Sequence, residues 1–176
     1  MNTKAVRIYG KNDLRMDDVQ LPEIGPDGVR VKITVDSLCM SSYKAAIEGG
    51  DHKRVPNNCA ENPTIVGHEF CGDIVEVGEN WKHKYKVGDK FVIQPAHYHK
   101  GSQMAPGYSY NYCGGNAQYG NVPIETLLEN CLLPYESDNH LNWMTHIPDR
   151  PEHCGMDEVS ICFAHSRNCF PTSNKD

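Results

Sequence analysis

"IVGHEFCGDIVEVG" (residues 65–78) decides how this chain is read. Its second half runs through valines to Gly78, the pattern of a short strand that ends in a turn. A plain strand does not need His68 and Glu69 at its mouth, bracketed by Gly67 and Gly72. A metal site does. Neighbouring residues on a strand point to opposite faces, so His68 and Glu69 cannot both aim inward from a regular one. Either the glycines bend the backbone there, or one residue ligates and the other works behind it.

Working outward, the N-terminal half reads as β-structure. "KAVRIYG" is a short strand ending in a glycine turn, and "PEIGPDG" is turn chemistry. In "VRVKITVDSL" Val29, Val31, Ile33 and Val35 fall on one face, with Arg30, Lys32, Thr34 and Asp36 on the other. "SSYKAAIEGG" is the best helix pattern, with serine N-caps and a Gly-Gly stop. "YKVGDKFVIQP" is a further turn and strand that closes at Pro95. "AQYGNVP" is another short strand, reached through a Gly- and Tyr-rich lobe. Short strands punctuated by Gly and Pro predict a mainly β barrel or sandwich.

Size and charge narrow the function. A chain of 176 residues predicts one domain, or one domain and a tail. A net charge of −6 argues against nucleic acid as a partner. The cluster Lys82, Lys84, Lys86 and Lys90, flanked by Glu79 and Asp89, reads as a solvated face. No apolar run approaches a membrane span, and "MNTKAVRIYG" lacks the apolar core of a signal peptide, so a cytoplasmic protein is expected. The eight cysteines include no Cys-x-x-Cys pair, which removes the usual zinc-ribbon pattern. Most of them are expected to be buried reduced thiols.

A catalytic zinc needs about three protein ligands and an open position. Cys39, His68 and Glu69 are the candidates. Cys39 lies between a strand and a helix, whose N-terminus would favour a thiolate. From spacing alone the simpler reading is one buried cysteine and one hydrogen-bonded histidine.

A resemblance adds to this. "GHEFCGDIVEVG" resembles the signature of the zinc-containing medium-chain alcohol and polyol dehydrogenases. "VGDKFVI" is similar to the strand that follows it there, and "DSLCMSSYK" to the segment with the first zinc ligand. "CMSSYKAAIEG", "DHKRVP", "AENPTIVGHEF" and "APGYSY" resemble the sorbitol-dehydrogenase-like branch, of the L-sorbose-1-phosphate reductase type. The resemblance covers residues 1–135. It implies a GroES-like fold, a partly open β-barrel with short helices, as the catalytic domain. It implies Cys39 and His68 as ligands of a catalytic zinc, Glu69 as a direct or supporting ligand, and Ser41 as the hydroxyl of a proton relay. The implied chemistry is hydride transfer between a sugar alcohol or keto-sugar and NAD(P), with zinc as Lewis acid.

The sequence departs from that family in places. Ser42 stands where an aspartate usually supports the zinc-binding histidine. Lys44 replaces a relay histidine. Cys113, His97 and His99 do not rebuild the four-cysteine structural zinc site. For a fourth catalytic ligand, Glu158 in "MDEVSIC" is the first candidate and Glu152 in "RPEHC" the second. Neither sits in the Glu-Pro pair of the polyol branch, and solvated carboxylates are the simpler reading. Residues 136–176 read as an atypical tail. A zinc cluster of His153, Cys154, Cys162 and Cys169 has no standard spacing.

A Rossmann domain with its Gly-x-Gly-x-x-Gly turn is absent from this sequence, and "CGGNAQYG" does not supply one. The expectation is a truncated catalytic domain that is inactive alone and monomeric or weakly dimeric. The alternative is a non-catalytic module for a metal or partner on the same barrel. The alternating Tyr108, Tyr110 and Tyr112 read as lobe packing ahead of cleft lining.

Overall fold

The chain opens on a hairpin whose strands, β1 (Asn2–Gly10) and β2 (Asp13–Gln20), pair antiparallel along their length. The computed structural model describes residues 1–134. Asn12 makes the hairpin turn at φ 55, a conformation that asparagine tolerates better than most residues. β1 also pairs with the two-residue strand β3 (Thr64–Ile65), giving the order β2-β1-β3. The predicted "KAVRIYG" strand is therefore the inner strand of a three-stranded sheet.

The second sheet holds the core. At its centre β4 (Val29–Asp36) lies between β5 (Phe70–Val77) and β6 (Tyr119–Val122). On the far side of β5 come β7 (Lys90–Ile93) and β8 (Leu132–Pro134), all antiparallel. Val29, Val31, Phe70, Ile74, Phe91, Ile93 and Leu132 bury fully between its inner face and the lobe. Phe70 and Phe91 meet edge to face at 6.0 Å, a geometry worth about 0.5–1.5 kcal/mol beyond the area buried.

The two sheets are stitched where β1 runs beside residues 116–119. Val6 donates to the Asn116 carbonyl at 2.8 Å, Gln118 to Lys4 at 3.1 Å, and Ala5 bridges Ala117. Among the described residues no continuous ladder closes the sheets into one ring. The architecture is mainly β with two short helices, α1 (Met40–Glu48) and α2 (Ile124–Leu128), as expected. A small hairpin of β9 (His97–His99) and β10 (Ser102–Met104) turns at Lys100 and Gly101, both at positive φ. No described helix is long and apolar enough to cross a membrane.

Two details of β4 depart from the alternation read in the sequence. Its register against β5 slips between Arg30 and Val31 and again between Ile33 and Val35. The first shift leaves Val75 of β5 unpaired, and the second leaves Thr34 of β4 unpaired and re-aims the residues that follow it. Arg30, expected to face solvent, is 8% exposed and spans Glu76 (2.6 Å), the Pro22 carbonyl (2.6 Å) and Asn121 (3.0 Å). Its charge is tolerated inside because each side of the guanidinium finds an acceptor. Asp36, also expected outside, turns its carboxylate inward beneath the site described next.

Candidate metal centre

Cys39 sits where β4 has ended and α1 begins. Its backbone is extended (φ −84°, ψ 145°), and its sulfur accepts the Ser41 backbone N–H at 3.4 Å. The cysteine thus caps the helix where serines were expected to, and Ser41 and Ser42 lie inside the first turn. Gly49 at φ 54 ends the helix, as the Gly-Gly stop predicts. The sulfur thus lies at the helix N-terminus, where the Ser41 amide points at it.

His68 and Glu69 lie just before β5, not on it. The bend is made at Gly67, whose φ of +96° puts the backbone in a region that L side chains avoid. A Cβ there would also run into the Asp36 carboxylate and come 2.7 Å from the Asn116 amide nitrogen. Gly72 serves a different purpose, since a Cβ would press on the Lys32 carbonyl of the neighbouring strand. The bracketing glycines therefore release the His-Glu pair from strand alternation and let β4 and β5 close beneath it.

Both side chains turn to the same place. One ligand atom each from Cys39, His68 and Glu69 lies within 4.8 Å of the others, with His68 and Glu69 buried and Cys39 half-buried. His68 Nδ1 is 3.4 Å from the Pro95 carbonyl and 3.2 Å from the Tyr108 hydroxyl. A carbonyl only accepts, so this contact calls for the proton on Nδ1 and leaves the Nε2 lone pair on the side of the other two donors. Nε2 is 3.9 Å from Glu69 Oε1. Ser37 donates its hydroxyl to Glu69 Oε2, whereas Oε1 is shielded from water with no hydrogen-bond partner among the described residues. A buried carboxylate oxygen in that state is costly unless a cation or donor completes it. The sulfur, nitrogen and oxygen set suits a borderline-soft divalent ion such as zinc, so the residues fit the metal that the sequence implies.

Beneath the group lies a second carboxyl. Burial pushes Asp36 up to about 7. The Glu69 charge adds to that rise, and the backbone amides of Glu69 and Ser37 counter part of it.

Other residues singled out in the sequence fall differently. Ser42 is buried, and its hydroxyl has no hydrogen-bond partner among the described residues. Pro95 and Tyr108 contact the histidine nitrogen that the aspartate of the family would support. Lys44 is 67% exposed and reaches Glu48, on the outer side of α1. In the lobe His97 bonds Thr126 at 3.0 Å and His99 bonds Glu129 at 2.9 Å. Cys113 is fully buried, which raises its thiol pKa. Cys59, Cys71 and Cys131 are likewise buried, as expected of most of the cysteines. Tyr110 packs on the core and Tyr112 is exposed, but Tyr108, read as packing, touches His68. Glu158, Glu152, His153, Cys154, Cys162, Cys169 and the tail lie outside the described residues.

Sequence reasoning missed Ser37, Asp36, Pro95 and Tyr108. Ser37 and Asp36 stand in the quoted "DSLC", close enough to Cys39 to be suspected. Tyr108 and Pro95 reach His68 only through the fold.

Beside Cys39 a cavity of about 610 Å³ opens, lined by Leu14, Leu38, Met40, Tyr43, Ala46 and Val66 among others. Leu38 (94% exposed) and Met40 (73%) stand on its rim. Of the metal group, Cys39 lines this apolar hollow.

Comparison with known proteins agrees with this architecture. Residues 25–134 match the family model described as the alcohol dehydrogenase GroES-like domain. L-sorbose 1-phosphate reductase of Klebsiella pneumoniae is 43% identical over 136 residues, which is 77% of this chain and 33% of that protein. Mannitol-1-phosphate 5-dehydrogenase of Aliivibrio fischeri is 47% identical over 134 residues, 76% of this chain and 31% of that one. The chain spans about a third of the length of these curated relatives. Among solved structures, 2R,3R-butanediol dehydrogenase of Bacillus subtilis superposes with a TM-score of 0.60 at 27% identity, covering 81% of this chain and 42% of that one. The chain therefore belongs to the alcohol dehydrogenase GroES-like domain family, the catalytic domain of the medium-chain zinc dehydrogenases.

Proposed function

We propose that this chain is the zinc-binding catalytic domain of a polyol dehydrogenase, with Cys39, His68 and Glu69 holding the metal. The observation that carries the proposal is their convergence within 4.8 Å from two separate segments. Bound zinc supplies Lewis acidity toward a substrate oxygen and lowers the pKa of an alcohol. The protein's own residues prepare the site. The Ser41 amide at the helix N-terminus orients the Cys39 sulfur. Pro95 and Tyr108 fix the His68 ring, and Ser37 holds one Glu69 oxygen so that the other is presented. Ser41, half-buried and two residues past the cysteine, is the first acceptor for the substrate's hydroxyl proton. Glu158 is the first candidate for a fourth ligand.

The relatives named for polyols and sugar phosphates support a sugar alcohol or keto-sugar as substrate. NAD or NADP enters only in a full-length form, because the aligned region contains no cofactor domain. Residues 1–135 are proposed as the catalytic domain, and the isolated chain as a monomer or weak homodimer without turnover.

Elemental analysis of the purified chain tests this. One zinc per chain is expected, and Cys39→Ala should lose it. A ligand present at a thousand times its Kd stabilises by about 4 kcal/mol, so chelation should lower Tm by about 10 °C. No zinc after reconstitution, or full zinc in Cys39→Ala, would overturn the metal site. Zinc without any effect on alcohol chemistry in a full-length form would favour the non-catalytic module. Sustained polyol oxidation by this chain alone would show that the cofactor domain is dispensable.

A further inference from the structure

The two nitrogens of His68 face different partners. Nε2 lies on the side of the metal group, 3.9 Å from Glu69 Oε1. Nδ1 lies 3.4 Å from the Pro95 carbonyl and 3.2 Å from the Tyr108 hydroxyl. With the proton on Nδ1, as the carbonyl requires, this nitrogen only donates, so the Tyr108 oxygen accepts from it. The same oxygen accepts from Arg54 Nη1 at 3.4 Å. A guanidinium has no lone pair to offer, so this direction is fixed as well. One phenol oxygen therefore takes an N–H from the metal-binding imidazole and an N–H from a cation.

The fold holds Arg54 for this contact from three directions. Its backbone N–H reaches His52 Nδ1 at 3.3 Å, its carbonyl accepts the Ser109 hydroxyl at 2.7 Å, and its Nε donates to Gln103 Oε1 at 3.2 Å. The His52 ring meets the buried Tyr108 ring edge-on at 5.4 Å. Arg7, Arg15 and Arg30 each pair with a carboxylate, whereas Arg54 pairs with none among the described residues. Its charge is thus not cancelled where it touches the phenol. Arg54 also lines a cavity of about 470 Å³ with Lys53, Ser102 and Gln103, so solvent screens part of that charge and keeps its effect moderate.

The group behind a ligating imidazole sets how strongly the front nitrogen donates. A carboxylate on Nδ1–H draws the proton away, makes the ring more basic and strengthens its bond to the ion. A neutral phenol draws on that proton less. A guanidinium on the same oxygen competes for its electron density and weakens the pull further. The ring then stays a neutral imidazole that gives less charge to the ion. The ion is left more electron-poor and less tightly held.

We infer that Tyr108 and Arg54 are a positioning pair for His68, and that the cation placed behind the imidazole lowers the zinc affinity of the site while raising the Lewis acidity of the bound ion. Neither residue touches the ion; both act through the histidine. The consequence for zinc rests on the metal reading above, whereas the line of hydrogen bonds does not.

Two measurements on the whole chain test the pair: zinc dissociation constants by chelator competition, and the His68 Nδ1–H signal in chain labelled with 15N-histidine. Arg54→Gln is expected to bind zinc about three- to ten-fold more tightly, a smaller change than the roughly 10–100-fold that follows loss of a direct partner of a metal histidine. Its Nδ1–H signal should move downfield as the bond to the phenol strengthens. Arg54→Lys keeps the cation and should stay near the parent in both. On a Tyr108→Phe background Arg54→Gln should alter neither, since the phenol oxygen carries the coupling. An arginine with only a structural role would give the opposite sign, a loosened site that binds zinc more weakly. Zinc binding in Arg54→Gln equal to or weaker than the parent's, or a gain that persists on the Tyr108→Phe background, would overturn the inference and leave the metal centre standing. A parent chain that takes up no zinc would remove the metal centre instead. The metal-free chain then decides the hydrogen-bond line: an Nδ1–H signal that moves in Arg54→Gln only when Tyr108 is present supports it, and an unmoved signal removes it.

Discussion

Two regions of this small barrel carry histidine and cysteine, and they use them in opposite ways. At the mouth of β5, Cys39, His68 and Glu69 bring a sulfur, a nitrogen and an oxygen to one point, and Glu69 Oε1 has no hydrogen bond among the described residues. In the lobe, His97 is 1% exposed and bonds Thr126, His99 bonds Glu129, and Cys113 faces the apolar core. The residue types are the same. What differs is the backbone. Gly67 breaks the strand and aims two successive side chains inward, whereas His97 and His99 stay on β9. A metal group needs donor atoms that converge on one point; side chains held apart on a strand, each against its own neighbour, make a packed lobe.

The sharpest way to break the contrast is to give the first region the backbone of the second. Gly67→Ala places a Cβ at φ +96° against the Asp36 carboxylate and the Asn116 amide. Left-handed strain and the forced displacement together cost about 3–5 kcal/mol. Chemical denaturation should show that loss. Zinc stoichiometry should fall below that of the parent, because the turn can relax only by moving His68. A variant with parent stability and full zinc would mean the bend does not need glycine.

The lobe can be tested by its titration. Burial lowers His97 to about 4 from an ordinary value of 6.5, with the Glu129 charge opposing the fall. Between those values the unfolded chain takes up a proton that the folded one refuses. Stability is therefore lost as pH falls from about 6.5 toward 4, by at most about 3 kcal/mol. His97→Gln should flatten that part of the stability profile, relative to the parent, and leave zinc content untouched. An unchanged slope would show that the buried imidazole does not control it. A drop in zinc would tie the lobe to the metal group.

These regions were unequally legible in the sequence. The strands, the turn residues and the Gly stop of α1 follow from patterns with a spacing of two or four residues. The pairing of Cys39 with His68 depends on a chain reversal between β4 and β5, and spacing alone did not favour it; the family resemblance did. Register was beyond reach. Arg30 precedes both register shifts and is buried on the polar side by Glu76, Pro22 and Asn121, whereas Asp36 lies beyond the shift at Thr34. Ser37 beside Cys39 was visible but silent, because a serine after a strand has many uses. Tyr108 was read as lobe packing, since nothing local distinguishes it from Tyr110 or Tyr112.

The smallest effect expected separates sequence position from place in the fold. Lys44 stands where the family resemblance implies a relay histidine, yet its ammonium lies toward Glu48 at 3.7 Å on the outside of α1. An exposed i,i+4 pair of this kind contributes about 0.3–0.5 kcal/mol. Lys44→Ala should therefore change denaturation midpoints barely beyond error and leave zinc binding as it was. If this lysine instead carried protons for the site, a full-length form bearing Lys44→Ala would show an altered pH profile of kcat. The side chain would then have to swing around the helix to the Cys39 face, against the ion pair that now holds it out. Ser41, inside the first turn and beside the sulfur, needs no such movement, so the proton path is expected to survive the loss of Lys44 and to weaken with Ser41→Ala.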